Sequence, residues 1–351
     1  MEYLNMLPYE KVMPLLKGGK IDQIPCVNFT SCATIDLMRL ADAWWPHSHL
    51  DAERMAMLAS AAHRFCGLDN ISLPFDMTVE AEVLGAKISL GELDLNKGNV
   101  SWPHPKTFME KLEDIKFPDV ASDAGRVPII LKAIKLLKEE FYGKVPINAY
   151  MAPPFTCASN YLFNPRSFLV WLIKNPEKVH DLLNSIVGVF TEIASIYREA
   201  GADIITLHEM GASCNIISPA HFDEFVKPYL KKIILRVKSP VVLSVCGASE
   251  PIIGSMIECG ADAIAIDERT PMKRAREIAD KLRKGYPVIG NLSPIQVIHR
   301  GPAGRIREEV KKCIADGASM VSPGCDFWIM TPIDHVKALV AATLEYGGGR
   351  S

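Results

Sequence analysis

Short apolar runs and amphipathic stretches alternate along the chain, most regularly after residue 144. The runs are five to seven residues long and rich in valine, isoleucine and leucine, which is typical of strands buried on both faces of a parallel sheet. The stretches between them carry apolar residues at helical spacing, and several end at a glycine. The pattern predicts eight strands, at 24–29, 71–75, 145–151, 202–208, 240–246, 261–267, 286–290 and 318–323.

Strands that alternate with helices form parallel βαβ units, and eight such units close a barrel. We therefore predict an α/β fold, a (β/α)8 TIM barrel with N-terminal helices, as a single domain over residues 1–351. An inserted β-hairpin is predicted at 80–102, around turn formers at 96–98, with Glu80 and Glu82 solvated at its start. The predicted helices lie near 1–20, 33–44, 51–65, 125–140, 165–199, 219–237, 250–259, 271–284, 302–315 and 332–345.

Three of the predicted strands lead into residues that can bind a metal. Cys246 and Asp267 end their strands, and Cys325 follows the strand at 318–323. In a barrel these side chains would meet at the C-terminal face, where such barrels carry out chemistry. Two thiolates and a carboxylate there would suit zinc. From the residues alone, the alternative stays open that both cysteines are small buried hydrophobic residues.

Composition and charge limit which partners and which cellular compartment are expected. The formal net charge is −2 and the basic residues are scattered, so a nucleic-acid partner is not expected. No apolar run approaches the roughly 20 residues of a membrane helix, and the first residues lack the layout of a signal peptide. Nine widely spread cysteines favour free thiols in a reducing, cytoplasmic environment.

Four segments resemble the uroporphyrinogen decarboxylase superfamily, and the resemblance covers nearly the whole chain. The chain is most similar to the corrinoid-dependent methyltransferase branch, typified by methylcobamide:coenzyme M methyltransferases. The arginine-rich N-terminal motif of true decarboxylases is missing around 24–40, so porphyrinogen decarboxylation is not expected. The segments that carry the resemblance are 74–86 (PFDMTVEAEVLGA), 152–156 (APPFT), 218–230 (SPAHFDEFVKPYL) and 290–294 (GNLSP).

The resemblance implies a zinc motif that consists of His-x-Cys, an acid and a distant cysteine. Cys246, Asp267 and Cys325 match the last three positions. The first position is Ser244, and a serine hydroxyl is a poor zinc ligand compared with a neutral imidazole.

This departure leaves three outcomes open. His208 or Glu209, one strand earlier, could supply the missing ligand. The metal could instead be held by the two cysteines and the aspartate, with the fourth position left for substrate. In the third outcome the metal is lost and the chain does something else.

Together these observations predict a zinc-dependent methyltransferase that moves a methyl group between a corrinoid protein and a small molecule. The small molecule could be a thiol such as coenzyme M, a folate, or a methoxy or methylamine donor. The corrinoid (cobalamin) is expected on a separate protein, because the chain has no Asp-x-His-x-x-Gly stretch. Asp76 and Asn160 are predicted to position the small molecule, with Glu209 as a further catalytic candidate.

Two rival functions remain at this point. One is a metal-free decarboxylase or lyase on the same barrel, with Asp76 as its key group. The other is a non-catalytic barrel that only docks a corrinoid protein. The sequence is compatible with a homo-oligomer but does not specify one.

Overall fold

The computed structural model describes residues 6–94, 99–238 and 240–348, so the predicted turn at 96–98 lies outside the described residues. The strands are β1 (Ile71–Leu73), β2 (Ile88–Ser89), β3 (Glu92–Asp94), β4 (Asn99–Ser101), β5 (His104–Pro105), β6 (Ile147–Met151), β7 (Ile204–Glu209), β8 (Val241–Val245), β9 (Ala263–Ile266) and β10 (Val288–Ile289).

The helices surround these strands in the predicted alternation. The α-helices are α1 (Pro8–Leu16), α2 (Ile35–Ala41), α3 (Ala52–Cys66), α4 (Val79–Val83), α5 (Val127–Phe141), α6 (Pro154–Cys157), α7 (Pro165–Lys174), α8 (Pro176–Ala200), α9 (Pro219–His221), α10 (Lys227–Ile234), α11 (Ile253–Glu258), α12 (Met272–Leu282), α13 (Ala303–Ala315) and α14 (Ile333–Tyr346). Short 3-10 or π-helical turns are His47–His49, Leu112–Asp114, Ala121–Asp123, Ala158–Leu162, Phe222–Val226, Glu250–Ile252 and Pro294–His299.

The central sheet is parallel and closes on itself. Six strands pair in the order β1, β6, β7, β8, β9, β10. Two further segments complete the circle, because Met320 pairs with Ile289 and Val321 pairs with Cys26. Just before β1, the amide of Asp69 donates to the carbonyl of Cys26. The predicted (β/α)8 barrel is therefore confirmed, with all eight predicted segments in its wall.

The long helix predicted over 165–199 is two helices, α7 and α8, which divide at Asn175. Pro176 has no backbone N–H to continue α7, and it begins α8 instead. By length and composition alone, α8 could cross a membrane. Its buried residues pack against α5, α7, α10 and β7, so it is a core helix of the barrel.

The insertion differs from the predicted hairpin in its start and its pairing. Residues 79–83 form α4, and antiparallel pairing begins only at Ile88, with β2 on β5 and β3 on β4. Glu80, predicted to be solvated, is only 1% exposed, and its carboxylate accepts a hydrogen bond from the amide of Ala152 at 3.3 Å. Burial raises the pKa of Glu80 to about 8. Glu82 is half-buried and binds Arg126 at 2.8 Å.

The interior of the barrel is layered, because alternate residues of each strand point inward. The middle layer is polar: Thr206 donates to Oδ1 of Asn148 at 2.7 Å, and Nδ2 of Asn148 donates to the carbonyl of Phe29 at 2.8 Å. Above it, toward the C-terminal ends of the strands, lie the candidate functional residues. The N-terminal layer is apolar and consists of Val27, Ile204, Val242, Ala263, Ile289 and Met320, closed from below by Val12, Met13 and Leu16 of α1.

Candidate active site

The two-residue period of the strands explains which side chains meet at the top of the barrel. On β7, His208 stands two residues beyond the inward-facing Thr206 of the polar layer, so it points the same way. On β8, Ser244 lies directly across from His208 in the strand pairing. Cys246 and Asp267 come directly after β8 and β9 and extend the same inward rows.

The two cysteines that the sequence predicts as metal ligands are in contact with each other. Sγ of Cys246 lies 3.1 Å from Sγ of Cys325 and 3.5 Å from Oδ2 of Asp267. Both thiols are free and half-buried. The hydrogen bond from Cys246 and burial both raise the pKa of the Cys325 thiol well above its usual value. Without a cation, this corner therefore keeps Cys325 protonated.

His208 reaches the same corner from the neighbouring strand. Its Nε2 lies 3.7 Å from Sγ of Cys325, and its Nδ1 lies 3.0 Å from the hydroxyl of Ser244. Burial lowers the pKa of His208 to about 4, with Asp267 acting in the opposite direction, so the imidazole is neutral at pH 7. A neutral imidazole whose second nitrogen is held by a hydrogen bond is the form that binds metals. Ser244 thus orients the histidine that lies across from it.

The separations between these atoms can be compared with those that one zinc ion requires. For Zn–S bonds of about 2.3 Å and Zn–N or Zn–O bonds of about 2.1 Å, a tetrahedron places two sulfurs about 3.8 Å apart and a sulfur and a nitrogen or oxygen about 3.6 Å apart. The observed S···N and S···O distances of 3.7 and 3.5 Å agree with this, and the S···S distance of 3.1 Å is shorter by about 0.7 Å. The donor types suit zinc, but these three contacts join the four atoms in a row, from Asp267 through Cys246 and Cys325 to His208, so a zinc ion would need the two sulfurs to separate and the outer ligands to close around it.

A second acid competes with Asp267 for a place in the ligand set. The ligand atoms of His208, Cys325 and Asp326 all lie within 4.8 Å of one another, which is a more compact group than the one that includes Asp267. One carboxylate oxygen of Asp326 accepts a hydrogen bond from the amide of Ser31 at 2.8 Å. One oxygen of Asp267 is likewise occupied, by the amide of Arg269 at 2.8 Å. Each acid therefore already has one oxygen in a hydrogen bond to a backbone amide.

These residues form the floor of a cavity of about 430 Å³ at the C-terminal face. Cys246, Asp267 and Cys325 all contribute to its lining. The other wall is aromatic and includes Trp102 and Trp328, whose rings lie 5.4 Å apart. The cavity has the size and the mixed lining of a small-molecule site.

Asp76 also lines the cavity, but it is tied into an ion pair. Arg126 donates to its two oxygens at 2.7 and 3.1 Å, and Nδ1 of His49 lies 3.2 Å from Oδ2. Burial acts to raise the pKa of Asp76, but Arg126 and His49 hold it well below its usual range. Thr78 adds a hydroxyl hydrogen bond at 2.5 Å. Asp76 is thus a charged and fully partnered carboxylate.

The side chains of the other two predicted catalytic residues have partners outside the thiol pair, although the backbone carbonyl of Glu209 accepts a hydrogen bond from the amide of Cys246 at 3.0 Å. Glu209 is buried, and Thr156 donates to one of its oxygens at 2.6 Å, while the other oxygen has no hydrogen-bond partner among the described residues. Burial raises the pKa of Glu209 to about 7. Asn160 accepts a hydrogen bond from the hydroxyl of Ser159 at 3.1 Å. Its neighbour Tyr161 packs against the core and also lines the cavity.

Several residues at the site have no clear signal in the sequence. Asp326 directly follows a candidate ligand, and this adjacency is the one hint that the sequence offers. Glu268 and Arg269 are both exposed, and Glu268 lines the cavity and accepts a hydrogen bond from Ser293 at 3.0 Å. Arg126 lies 50 residues from its partner Asp76, and no pattern connects the two.

Comparisons with known proteins show the family to which the chain belongs. A family model described as uroporphyrinogen decarboxylase (URO-D) matches residues 7–346. The chain belongs to the uroporphyrinogen decarboxylase family. The family resemblance seen in the sequence is thereby confirmed.

Within the uroporphyrinogen decarboxylase family, the relatives that match almost end to end are methyltransferases. The methylcobamide:CoM methyltransferase MtaA of Methanosarcina barkeri is 32% identical over 338 residues, covering 96% of this chain and 97% of the relative. MtbA of Methanosarcina acetivorans, with the same enzyme name, is 32% identical over 342 residues, covering 97% and 98%. The uroporphyrinogen decarboxylase of Thermus thermophilus is 30% identical over 291 residues, covering 80% of each chain.

A solved structure of a methyltransferase from Methanosarcina mazei has the same fold. It superposes with a TM-score of 0.90 at 32% identity and covers 97% of this chain and 99% of the other. The placement of the chain in the methyltransferase branch of the uroporphyrinogen decarboxylase family is therefore confirmed.

Proposed function

We propose that this protein is a zinc-dependent methyltransferase that moves a methyl group between a corrinoid protein and a small molecule, most simply a thiol. The observation that carries the proposal is the meeting of two thiols, an imidazole and a carboxylate at the floor of one cavity, with separations of 3.1 to 3.7 Å. The names of the full-length relatives support the same reaction class.

Cys246, Cys325 and His208 would hold the zinc, and Asp267 would complete the set, with Asp326 as the competing acid. When bound, zinc lowers the pKa of a coordinated thiol, so that the thiol reacts as a thiolate. Methyl transfer from cobalt to a thiol is a displacement at carbon: the thiolate would form the new S–C bond while the Co–C bond breaks and its electron pair stays on cobalt.

The remaining residues would orient the reactants and the ligands. Ser244 holds His208 through Nδ1, which directs Nε2 toward Cys325. Asp76 presents a fixed negative charge to the cavity wall because Arg126 and His49 keep it ionised. Asn160 and Glu209 stay candidates for positioning roles, since neither side chain contacts the thiol pair in the contacts described above.

The corrinoid would arrive on a separate protein. The chain has no Asp-x-His-x-x-Gly segment for binding cobalamin itself. The cavity opens at the C-terminal face of the barrel, and the exposed apolar side chains of Trp102 and Ile295 contribute to its lining. A partner that delivers a methylated cobalt could dock there.

Metal analysis joined to a methyl-transfer assay tests the proposal. Purified protein should contain about one zinc per chain and should demethylate methylcobalamin in the presence of a small thiol. Cys325→Ala should lose both zinc and turnover while it stays folded, because the residue is at the rim and not in the core. Cys214→Ala is the matched control, since Cys214 is also a half-exposed free thiol but makes no contact with the other two cysteines.

The two rival functions make different predictions in the same experiment. A metal-free decarboxylase or lyase would show no zinc and would depend on Asp76 and not on Cys325. A docking protein would bind a corrinoid protein but give no turnover with thiols, folates or methoxy compounds. Either result would rule out the proposed function.

A further inference from the structure

The sulfurs of Cys246 and Cys325 are close enough to react with each other. They lie 3.1 Å apart, and the two sulfurs of a disulfide are about 2.05 Å apart, so an approach of about 1 Å would bring them to bonding distance. A tetrahedral zinc ion would instead need them about 0.7 Å farther apart. Two thiols held at this separation can form a disulfide after a small movement.

The neighbouring groups favour contact between the two sulfurs over a cation shared by both. Among the described residues, the compact group of ligand atoms within 4.8 Å of one another contains Cys325, His208 and Asp326 but not Cys246. The sulfur of Cys246 makes two contacts, at 3.1 Å with Cys325 and at 3.5 Å with Asp267. Its nearest described partner is therefore the other sulfur.

Small molecules can reach this pair through the cavity. Cys246 and Cys325 both line the cavity of about 430 Å³ at the C-terminal face, and both are half-buried. Of the other cysteines, Cys214 is also half-buried but does not line this cavity, and the rest are buried. A small oxidant that enters the cavity therefore meets these two thiols, and reactivity of a thiol requires such access.

We propose that Cys246 and Cys325 form a reversible disulfide, and that the oxidant is a low-molecular-weight disulfide, RS–SR, that enters the cavity. In the first step one protein thiol forms a bond to one sulfur of RS–SR while the RS–SR bond breaks, and the leaving sulfur takes the thiol proton as RSH. In the second step the other protein thiol attacks the protein sulfur of this mixed disulfide, the new bond joins Cys246 to Cys325, and a second RSH leaves. The two protein sulfurs together lose two electrons, and RS–SR gains them.

A closed bridge would keep zinc out of the site, because zinc binds thiolates and a disulfide has none. The bridge would also span part of the barrel mouth, since β9 and β10 lie between β8 and the segment at 318–323 in the barrel wall. Resting on the proposed function, the reduced form would bind zinc and transfer methyl groups, and the oxidised form would do neither. Formation of the bridge itself does not depend on that function.

Disulfide mapping of the metal-free protein tests the proposal. The chain is stripped of metal with a chelator and equilibrated without oxygen in mixtures of hydroxyethyl disulfide and mercaptoethanol at a series of ratios. After free thiols are blocked with iodoacetamide, digestion without reductant should give a peptide pair that joins Cys246 to Cys325, and excess dithiothreitol should remove it. Zinc added beforehand should slow closure by at least about tenfold, because the metal holds the thiolates.

Three variants identify the partner of each sulfur. Cys214→Ala removes the other half-buried thiol and is the matched control: it should form the same bridge and lose two titratable thiols. In Cys325→Ser, Cys246 should stop at the mixed disulfide and gain the mass of one RS group, and Cys246→Ser should leave Cys325 in the same state. Circular dichroism checks that each variant is folded, and the wild-type peptide map decides the question even where one is not.

The outcomes separate this inference from the proposed function. If the two cysteines of the metal-free protein stay as thiols or as separate mixed disulfides at every ratio, or if either one pairs with Cys214, the disulfide proposal is wrong. Zinc binding and methyl transfer by the reduced protein would be untouched by that result. A bridge that forms in a protein whose reduced form neither binds zinc nor transfers methyl groups would support the disulfide and rule out the proposed function.

Discussion

We propose that His208 takes the place of the histidine that the family resemblance puts at position 244, and variants that move the imidazole back to position 244 test this. The two positions lie directly across from each other on β7 and β8, and their side chains are hydrogen-bonded at 3.0 Å. His208→Gln keeps a side chain of similar size that can still bond Ser244, but it removes the imidazole. Ser244→His returns a ligand at the position where the family pattern has one.

The expected magnitudes follow from the contacts. In the proposed site His208 would supply one of four donors, so His208→Gln should weaken zinc binding by more than about 100-fold, or above about 2.7 kcal/mol, which exceeds the usual effect of an outer partner. Ser244→Ala leaves the imidazole but frees Nδ1, so it should cost about 10-fold, within the range for such partners. The double variant His208→Gln/Ser244→His should regain most of the loss.

Competition titration with a chromophoric zinc chelator measures these affinities, and thermal unfolding of the metal-free proteins checks that each variant is folded. Because the pKa of His208 is lowered to about 4, protonation of its imidazole does not compete with zinc near neutrality. The affinity ratio of wild type to His208→Gln should therefore be the same at pH 6.5 and pH 8. Zinc binding by His208→Gln as tight as that of the wild type would refute the assignment, and parallel loss in Asp326→Asn but not Asp267→Asn would identify the acid.

Two further predictions concern stability and local packing. Burial raises the pKa of Glu80 from 4.5 to about 8, so the folded protein keeps a proton that the unfolded chain releases, and stability should fall as pH rises between these values. Because Glu80→Gln cannot ionise, its free energy of unfolding relative to wild type should rise by about 1.4 kcal/mol per pH unit. Urea unfolding at pH 5 and pH 7.5 measures this, and equal differences between variant and wild type at the two pH values would contradict it. Gly324→Ala would place a Cβ 2.9 Å from the backbone nitrogen of Glu268, so it should lower the free energy of unfolding by about 1–3 kcal/mol and weaken zinc binding by displacing Cys325. Gly188→Ala in α8 is the control, because a Cβ there would have no atom within 4 Å and should not destabilise the protein. Equal unfolding midpoints for the two variants would show that the loop at Gly324 accommodates the methyl group.

The parts of the site that the sequence predicts are those governed by strand periodicity. The apolar runs at 240–246 and 261–267 end in Cys246 and Asp267, and parallel strands of a barrel deliver such ends to one face. For the same reason Ser244 and Cys246 point the same way. The closure of eight strands could be predicted because each run alternates with a helix.

The parts that the sequence does not predict depend on contacts between distant loops. Asp76 binds Arg126 across 50 residues: the first directly follows the predicted strand at 71–75 and the second begins the predicted helix at 125–140, and neither pattern indicates that they meet. Glu80 is a charged residue type that a sequence pattern assigns to the surface, yet α4 turns it inward. There its carboxylate accepts a hydrogen bond from the amide of Ala152, which directly follows β6. The predicted catalytic roles of Asp76, Asn160 and Glu209 stay predictions, since they depend on how a bound molecule lies in the cavity.

The donor atoms of the candidate metal site come from β7, from the residues directly after β8 and β9, and from the segment at 318–325, in that order along the chain. A growing polypeptide that has reached Asp267 already has an imidazole, a thiol and a carboxylate, but the second sulfur is still missing. That sulfur arrives with the segment that pairs with Cys26 and Ile289 and so seals the barrel wall. If zinc binds as proposed, its ligand set would be complete only once this segment has closed the barrel wall, so a bound ion would report a barrel that is closed at this seam.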